Sequence, residues 1–401
     1  MISRQTIKYS LRDLRKKKAR SFLTVLSIFI GIATIFIFIS FGLGLYDYIE
    51  ELTGGSSADK VMIQPKGGTF AAFESNVKFT DDDLEAIERV AGVYSVSGTY
   101  FRTVEIESQD ERLYTLLISY DPKIPLVIEM SNIEIEKGRE LSPGKKEVVL
   151  GYNYMVDGKI FSRGLKLNQN IEINGEDIKI AGFYGSVGNP QDDAQVYTSN
   201  SYMEEFYPNE TLSYGWIVAK VDINNVEGTT EKIEKALRNE RNLDEGKEDF
   251  SVQSFGDMLE GFSSALNAVI GFIILIALIS VLVSAVNTAN TMITSVLERI
   301  KEIGVIKSIG ARNSDIFGIF LFESGFLGFV AGVIGVLIGW GFSAVGGLVL
   351  DSLGYGFLQP SFPIWLFVVC IAFATITGAI SGVWPAINAS RINPVDALRY
   401  E

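Results

Sequence analysis

The chain has 401 residues, a formal net charge of -13, 47% hydrophobic residues, one cysteine and no histidine. The lack of histidine excludes a Ser-His-Asp triad and a His-ligated metal centre. The acidic balance argues against a nucleic-acid partner.

The charges are unevenly placed. No Asp, Glu, Lys or Arg occurs in 21–46, 261–297, 324–350 or 352–390. Crossing a hydrocarbon core of about 30 Å takes roughly 20 apolar helical residues, so each run is long enough. The sequence therefore reads as a polytopic α-helical membrane protein with four transmembrane helices. A large α+β extracytoplasmic domain lies between helices 1 and 2.

In chain order, residues 1–21 read as a cytoplasmic interfacial amphipathic helix. Ile7, Leu11 and Leu14 recur at 4,3 spacing beside Lys8, Arg12 and Arg15. The competing reading is a solvated basic tail that only sets topology. The first 20 residues carry eight Lys or Arg against the single acid Asp13, which places the N-terminus on the cytoplasmic side of a cell membrane, and four crossings return the C-terminus to that side. Transmembrane helix 1 is 22–46. Its apolar stretch exceeds the roughly 7 to 15 residues of a cleaved signal core.

Residues 47–260 are then outside, with 21 basic and 40 acidic residues. Strands are expected at 60–65, 93–98, 103–108, 112–120, 147–152, 170–174, 178–185 and 214–223. One helix opens with Thr80 as its N-cap and stops at Gly92, and a second covers 229–241. The order gives βαβ-like halves near 60–110 and 210–255, with a β-rich insert near 112–205. The acid clusters Asp81–Asp83 and Asp192–Asp193 are weak candidates for a hard cation, and Asn209 opens a glycosylation-type Asn-Glu-Thr triplet. Exported aromatics such as Phe70, Phe73, Tyr100 and Phe101 either grip cargo or fill a core. The segment 138–147 has the wrong spacing for a phosphate-binding loop.

Transmembrane helices 2, 3 and 4 are expected at 264–287, 324–347 and 363–385, with a cytoplasmic tail over 386–401. The 37-residue charge-free run before Glu298 exceeds a bilayer thickness, so the second helix projects beyond it. Small residues line one helix face in Gly325, Gly328, Gly332, Gly335 and Gly339, and again in Ala277, Ser280, Ser284, Asn287 and Thr291. A third stripe is Ala374, Gly378, Ser381 and Pro385. Such stripes let helix backbones approach closely.

Between the second and third spans lies a cytoplasmic coupling segment, 288–323. Its centre, "ERIKEIGVIKSIGARNSDI" over 298–316, holds four basic and three acidic residues. A helix is expected from 297 to 308, with Gly310 as its stop and Ser314 with Asp315 capping the next. Near-balance of charge suits a docking surface better than a topogenic loop.

These residues carry a resemblance. The stretch "NTANTMITSVLERIKEIGVIKSIGARNSDIFGIFLFES" resembles the FtsX-like permease domain of the MacB/LolCE/FtsX superfamily of ABC transporters. Its ER-x-x-EIG element is matched by Glu298, Arg299, Glu302, Ile303 and Gly304, and its GA-R turn by Gly310, Ala311 and Arg312. The closing "PAINASRINPVDALRYE" and the opening "LRDLRKKKARSFLTVLSIFIGIA" are similar to the family's ends. "IEKGRELSPGKKEVVLGYNY" and "INGEDIKIAGFYG" resemble the MacB-type periplasmic core domain.

The resemblance implies a permease subunit that works by mechanotransmission, as a homodimer or a heterodimer with a similar permease. ATP and Mg would be bound by a separate ABC ATPase, with no catalytic residue, metal or cofactor in this chain. The docking residues implied are Glu298, Arg299, Lys301, Glu302, Ile303, Gly304, Lys307, Gly310, Ala311 and Arg312. Besides membrane lipid, the remaining partner is an extracytoplasmic adaptor or cargo: a peptide, lipoprotein, lipid or drug. The alternative is an FtsX-like signalling protein that activates an extracellular partner such as a cell-wall hydrolase.

Overall fold

The computed structural model describes residues 18–53, 57–67 and 77–399. Most of the expected interfacial helix, with Phe70 and Phe73, lies outside the described residues. The chain forms two compact units: Tyr46–Ser264 with Leu350–Phe357, and Met1–Leu45 with Ala265–Val349 and Leu358–Glu401.

In chain order the elements are α1 (Lys18–Thr53), β1 (Lys60–Pro65), α2 (Asp81–Glu88), β2 (Val93–Thr99), β3 (Phe101–Ser108), β4 (Glu111–Tyr120), α3 (Leu126–Ser131), β5 (Ile135–Gly138), β6 (Glu147–Leu150), β7 (Asn170–Ile173) and β8 (Glu176–Tyr184). There follow β9 (Val196–Ser199), α4 (Asn200–Phe206), β10 (Trp216–Val221), α5 (Val226–Glu240), β11 (Phe250–Ser254), α6 (Phe255–Glu298), α7 (Ile300–Ser308), α8 (Asn313–Ser352), α9 (Ile364–Ser390) and α10 (Pro394–Arg399). The short elements α3, β5, β9, α4 and α10 are additions to the sequence reading.

The α+β unit holds two sheets. The smaller has the order β11-β1-β10-β2 with every pairing antiparallel. Strands β1 and β2 therefore run parallel with β10 between them, and β10 and β11 run parallel with β1 between them. The two βαβ halves are interleaved, each split by a strand of the other. Local chemistry sets the helices. The Thr80 N–H donates to the Asp83 carboxylate at 2.9 Å, and three acids in the first turn of α2 favour the helix dipole. Along α5, Thr229, Ile233 and Leu237 form one buried face, of which Ile233 and Leu237 meet Ile87, Val61, Ile63 and Ile217 in a single core.

The larger sheet has the order β5-β8-β6-β9-β4-β3-β7 with β8 also paired to β7. Its pairings thus close into a six-stranded ring, β8-β6-β9-β4-β3-β7, with β5 added outside. Closure leaves few unpaired strand edges. Val104, Ile106, Leu117, Val148, Leu150 and Phe183 fill its interior. Tyr100 and Phe101 are buried where the chain passes from β2 into this sheet, so both are core residues, not exposed gripping aromatics. Tyr100 stacks on Tyr214 with ring centroids 4.5 Å apart, and Phe101 meets Trp216 edge-on at 4.6 Å.

The acid clusters serve this unit internally. Asp83 pairs with Arg241 at 3.0 Å. Asp193 accepts from Ser186 Oγ at 2.7 Å and from the Val187 N–H at 2.8 Å, while Asp192 accepts from Asn189 and Gln195.

The second unit is helical. At about 1.5 Å per residue, the 44-residue α6 and the 40-residue α8 are each longer than a bilayer core. Helices α1, α8 and α9 share a core of Ile28, Ile32, Phe36, Ala331, Val336 and Cys370. Along the glycine stripe of α8, two neighbours follow in succession. Gly325, Gly328 and Gly332 meet Ala379, Ala374 and Gly378 of α9, whereas Gly335 and Gly339 lie against Phe29, Ile32 and Ala33 of α1. On α9 the buried small residues are Ala374, Gly378 and Gly382 before Pro385. Ser381 is half-buried and bonds to Thr377 of its own helix, because Gly382, one residue on, is the position pressed against Ser324.

Candidate functional site

The charged elbow is built from two helices where one was expected. Helix α6 ends at Glu298 and α7 starts at Ile300, with Arg299 at φ -109°, ψ 14° between them. The expected continuous helix over 297–308 is interrupted at the residue whose side chain turns inward. The Arg299 guanidinium lies 3.3 Å from the Glu323 carboxylate of α8, and its Cζ sits 5.4 Å from the centre of the Phe320 ring. A weaker pair joins its Nε to Glu302 at 3.4 Å. Below it, Ile303 packs among Met292, Val296, Ile316, Phe320, Ala386 and Ala389.

The distal end of the elbow follows from backbone geometry. Gly310 has φ +104° and terminates the segment after α7. The Asp315 carboxylate then accepts from the Arg312 N–H at 3.0 Å and closes the first turn of α8. The capping contact comes from Asp315.

The ten expected docking residues divide into two sets. Arg299, Ile303 and Gly304 are buried. Lys307 Nζ donates to the carbonyls of Ser390, the last residue of α9, at 2.9 Å and of Ile392, just beyond it, at 2.7 Å. Glu298, Lys301, Glu302, Gly310 and Arg312 are exposed, and Ala311 is half-buried. The exposed set is joined by apolar residues that charge patterning passed over: Leu297, Val305 and Ile309, the last 82% exposed. Lys301, Val305 and Ile309 recur at i, i+4 and i+8 with Glu298 and Arg312 three residues beyond either end, and that spacing was the available signal.

The expected packing residues of α6 also separate. Ser284 Oγ donates to the Ser27 carbonyl at 2.8 Å, and Asn287 Nδ2 donates to Ser27 Oγ at 3.3 Å. Ser280 is exposed and bonds back to Ile276 of its own helix. Most of α6 is apolar and uncovered within this chain, as at Phe272, Leu282, Val283 and Val286.

A family model described as the FtsX-like permease C-terminal matches residues 274–394, and one described as the MacB-like periplasmic core domain matches 21–236. The chain belongs to the ABC transporter permeases of the MacB-like and FtsX-like family. It is 32% identical to an uncharacterized ABC transporter permease of Methanocaldococcus jannaschii, over 98% of both chains. It is 25% identical to the uncharacterized ABC transporter permease YknZ of Bacillus subtilis, over 99% of both. Identity to the macrolide export ATP-binding/permease protein MacB of Chlorobium luteolum is 28% over 98% of this chain, which spans 60% of that protein. Membership of this family implies an ATPase partner.

Proposed function

We propose that this chain is the transmembrane subunit through which a separate ABC ATPase drives movement of an extracytoplasmic domain, by mechanotransmission. The observation that carries the reading is the two-sided character of α7. One face is locked into the helical unit by Ile303, Gly304 and Lys307, and the other presents Lys301, Glu302 and Val305 to the outside, with Ile309 exposed just past its end. A short rigid helix, fixed on one side and mixed apolar and charged on the other, is suited to seat in a groove of a partner and pass force on.

In this reading the termini and the elbow are cytoplasmic, in keeping with the basic residues of 1–20, and the α+β unit faces outward. The bare apolar surface of α6 meets lipid and a second permease copy. The close glycine-mediated packing of α1, α8 and α9 supports transmission of movement over passage of cargo through them. Cargo is a peptide, lipoprotein, lipid or drug engaged on the outer side.

The test is reversal of charge at Glu298 or Glu302 to Lys, and Ile309→Asp, in the complex reconstituted with its ATPase. Loss of permease-stimulated ATP hydrolysis with normal membrane insertion is expected. Full stimulation in all three variants overturns the reading.

A further inference from the structure

We infer that Glu323 is a positioning residue, which holds Arg299 inside the helical unit and so fixes the angle at which α7 leaves α6. This rests on the proposed seating of α7 against an ATPase, and deepens it.

Both side chains are buried, each residue 4% exposed, with the guanidinium and carboxylate 3.3 Å apart. Removing two charges from water is costly, and an apolar pair of similar volume is often as stable or more so. An ion pair at this place is therefore poorly accounted for as a source of stability. Its geometry offers another account. Arg299 is the residue at which the backbone departs from the helix, and Glu323 is the last acid before the charge-free stretch of α8. The Phe320 ring, one turn before Glu323, supports the guanidinium from the side. A planar guanidinium held by a carboxylate and a ring has few permitted orientations, so the break between α6 and α7 takes a defined direction. At the other end of α7, Lys307 is held by the Ser390 and Ile392 carbonyls. The helix is fixed at both ends by cations turned away from its exposed face. Arg299 and Lys307 are thus supports of the elbow, with Lys301, Glu302, Val305 and Ile309 forming its contact surface.

The experiment uses full-length chain in lipid nanodiscs, with and without the ATPase. Three variants are compared: Glu323→Gln, the apolar pair Arg299→Met with Glu323→Met, and the exchanged pair Arg299→Glu with Glu323→Arg. The first readout needs no ATPase: the spin-label distance between cysteines at Ser308 and Asn388, in a Cys370→Ser background. The second is ATPase stimulation in complexes matched for bound ATPase. The expected result is a shifted or broadened distance for Glu323→Gln and for the apolar pair. Stimulation falls at least tenfold in both although the ATPase still binds, and the exchanged pair recovers part of each signal. If the well-folded apolar pair keeps the wild-type distance and stimulation, the inference is overturned. If the distance shifts as expected but the wild-type chain stimulates no ATPase, the positioning role stands and the proposed function fails.

Discussion

Gly378 of α9 lies directly over Gly328 of α8, so that a Cβ at Gly378 would fall 2.9 Å from the Gly328 Cα and 2.7 Å from the Ser324 carbonyl oxygen. Neither backbone has room to give, because the obstacle on each side is main chain. Gly341, further along α8, would meet nothing within 4 Å.

The first prediction contrasts these glycines. Gly378→Ala forces α8 and α9 apart and lowers stability by about 1–3 kcal/mol, the usual cost of overpacking. Gly341→Ala is neutral or slightly stabilising, since alanine is the better helix former. Thermal unfolding in detergent, followed by circular dichroism, gives the comparison. Equal melting temperatures for the two variants would remove the close-packing account.

A second prediction concerns Gly310. With φ +104° and open space around the missing Cβ, its constraint is purely that of the backbone. Gly310→Ala should therefore cost about 1–2 kcal/mol through strain. Coupling is expected to weaken while ATPase binding persists, measured as stimulated hydrolysis per bound ATPase.

The third prediction is a dependence on pH in the α+β unit. Glu147 is buried, which opposes its ionisation, but Arg139 at 2.6 and 2.7 Å and the Ser142 N–H at 2.7 Å outweigh burial and hold its carboxyl below the usual range. A carboxylate with a depressed folded pKa adds stability above its unfolded value near 4.3, and that stability is lost as pH falls through the lower folded value. Wild-type protein should thus lose stability between about pH 5 and its acid transition. In Glu147→Gln that slope is shallower, and stability at pH 7 is lower by about 1.5–3 kcal/mol. Denaturant melts at pH 7, 5 and 4 provide the measurement, and parallel slopes would count against the pair.

A fourth prediction addresses Lys307. Lys307→Met keeps the length of the side chain but removes both donors to Ser390 and Ile392. The segment following α9 should become more open to limited proteolysis, whereas Lys301→Met, on the exposed face, leaves it unchanged. Identical cleavage rates would contradict the anchoring role of Lys307.

Much of the architecture could be read from residue order. The spans announce themselves by the absence of charge, and α5 by apolar residues at helical spacing. Strand β9 was not legible because all four of Val196–Ser199 are buried, which removes the alternation that marks a half-exposed strand. Strand β5 hides for the opposite reason, since Glu136, Lys137 and Gly138 are exposed on the rim. In the elbow, counting charges made Arg299 look like a surface residue. Helical spacing says otherwise: Met292, Val296, Arg299 and Ile303 follow one another at 4,3,4 and are all buried. The partner that makes this tolerable, Glu323, is 24 positions away in sequence, beyond the reach of any local pattern.

The insert that carries the closed ring of strands meets the small sheet at two places, one of them where Leu126, Val127 and Met130 of α3 pack on Met62 and Val218. The chain enters it beside Tyr100 and leaves it beside Tyr214, and those two rings are stacked on each other. An insertion that departs and returns through adjoining doorways keeps its host's strand order intact, but a substitute for it would also have to cover Met62 and Val218.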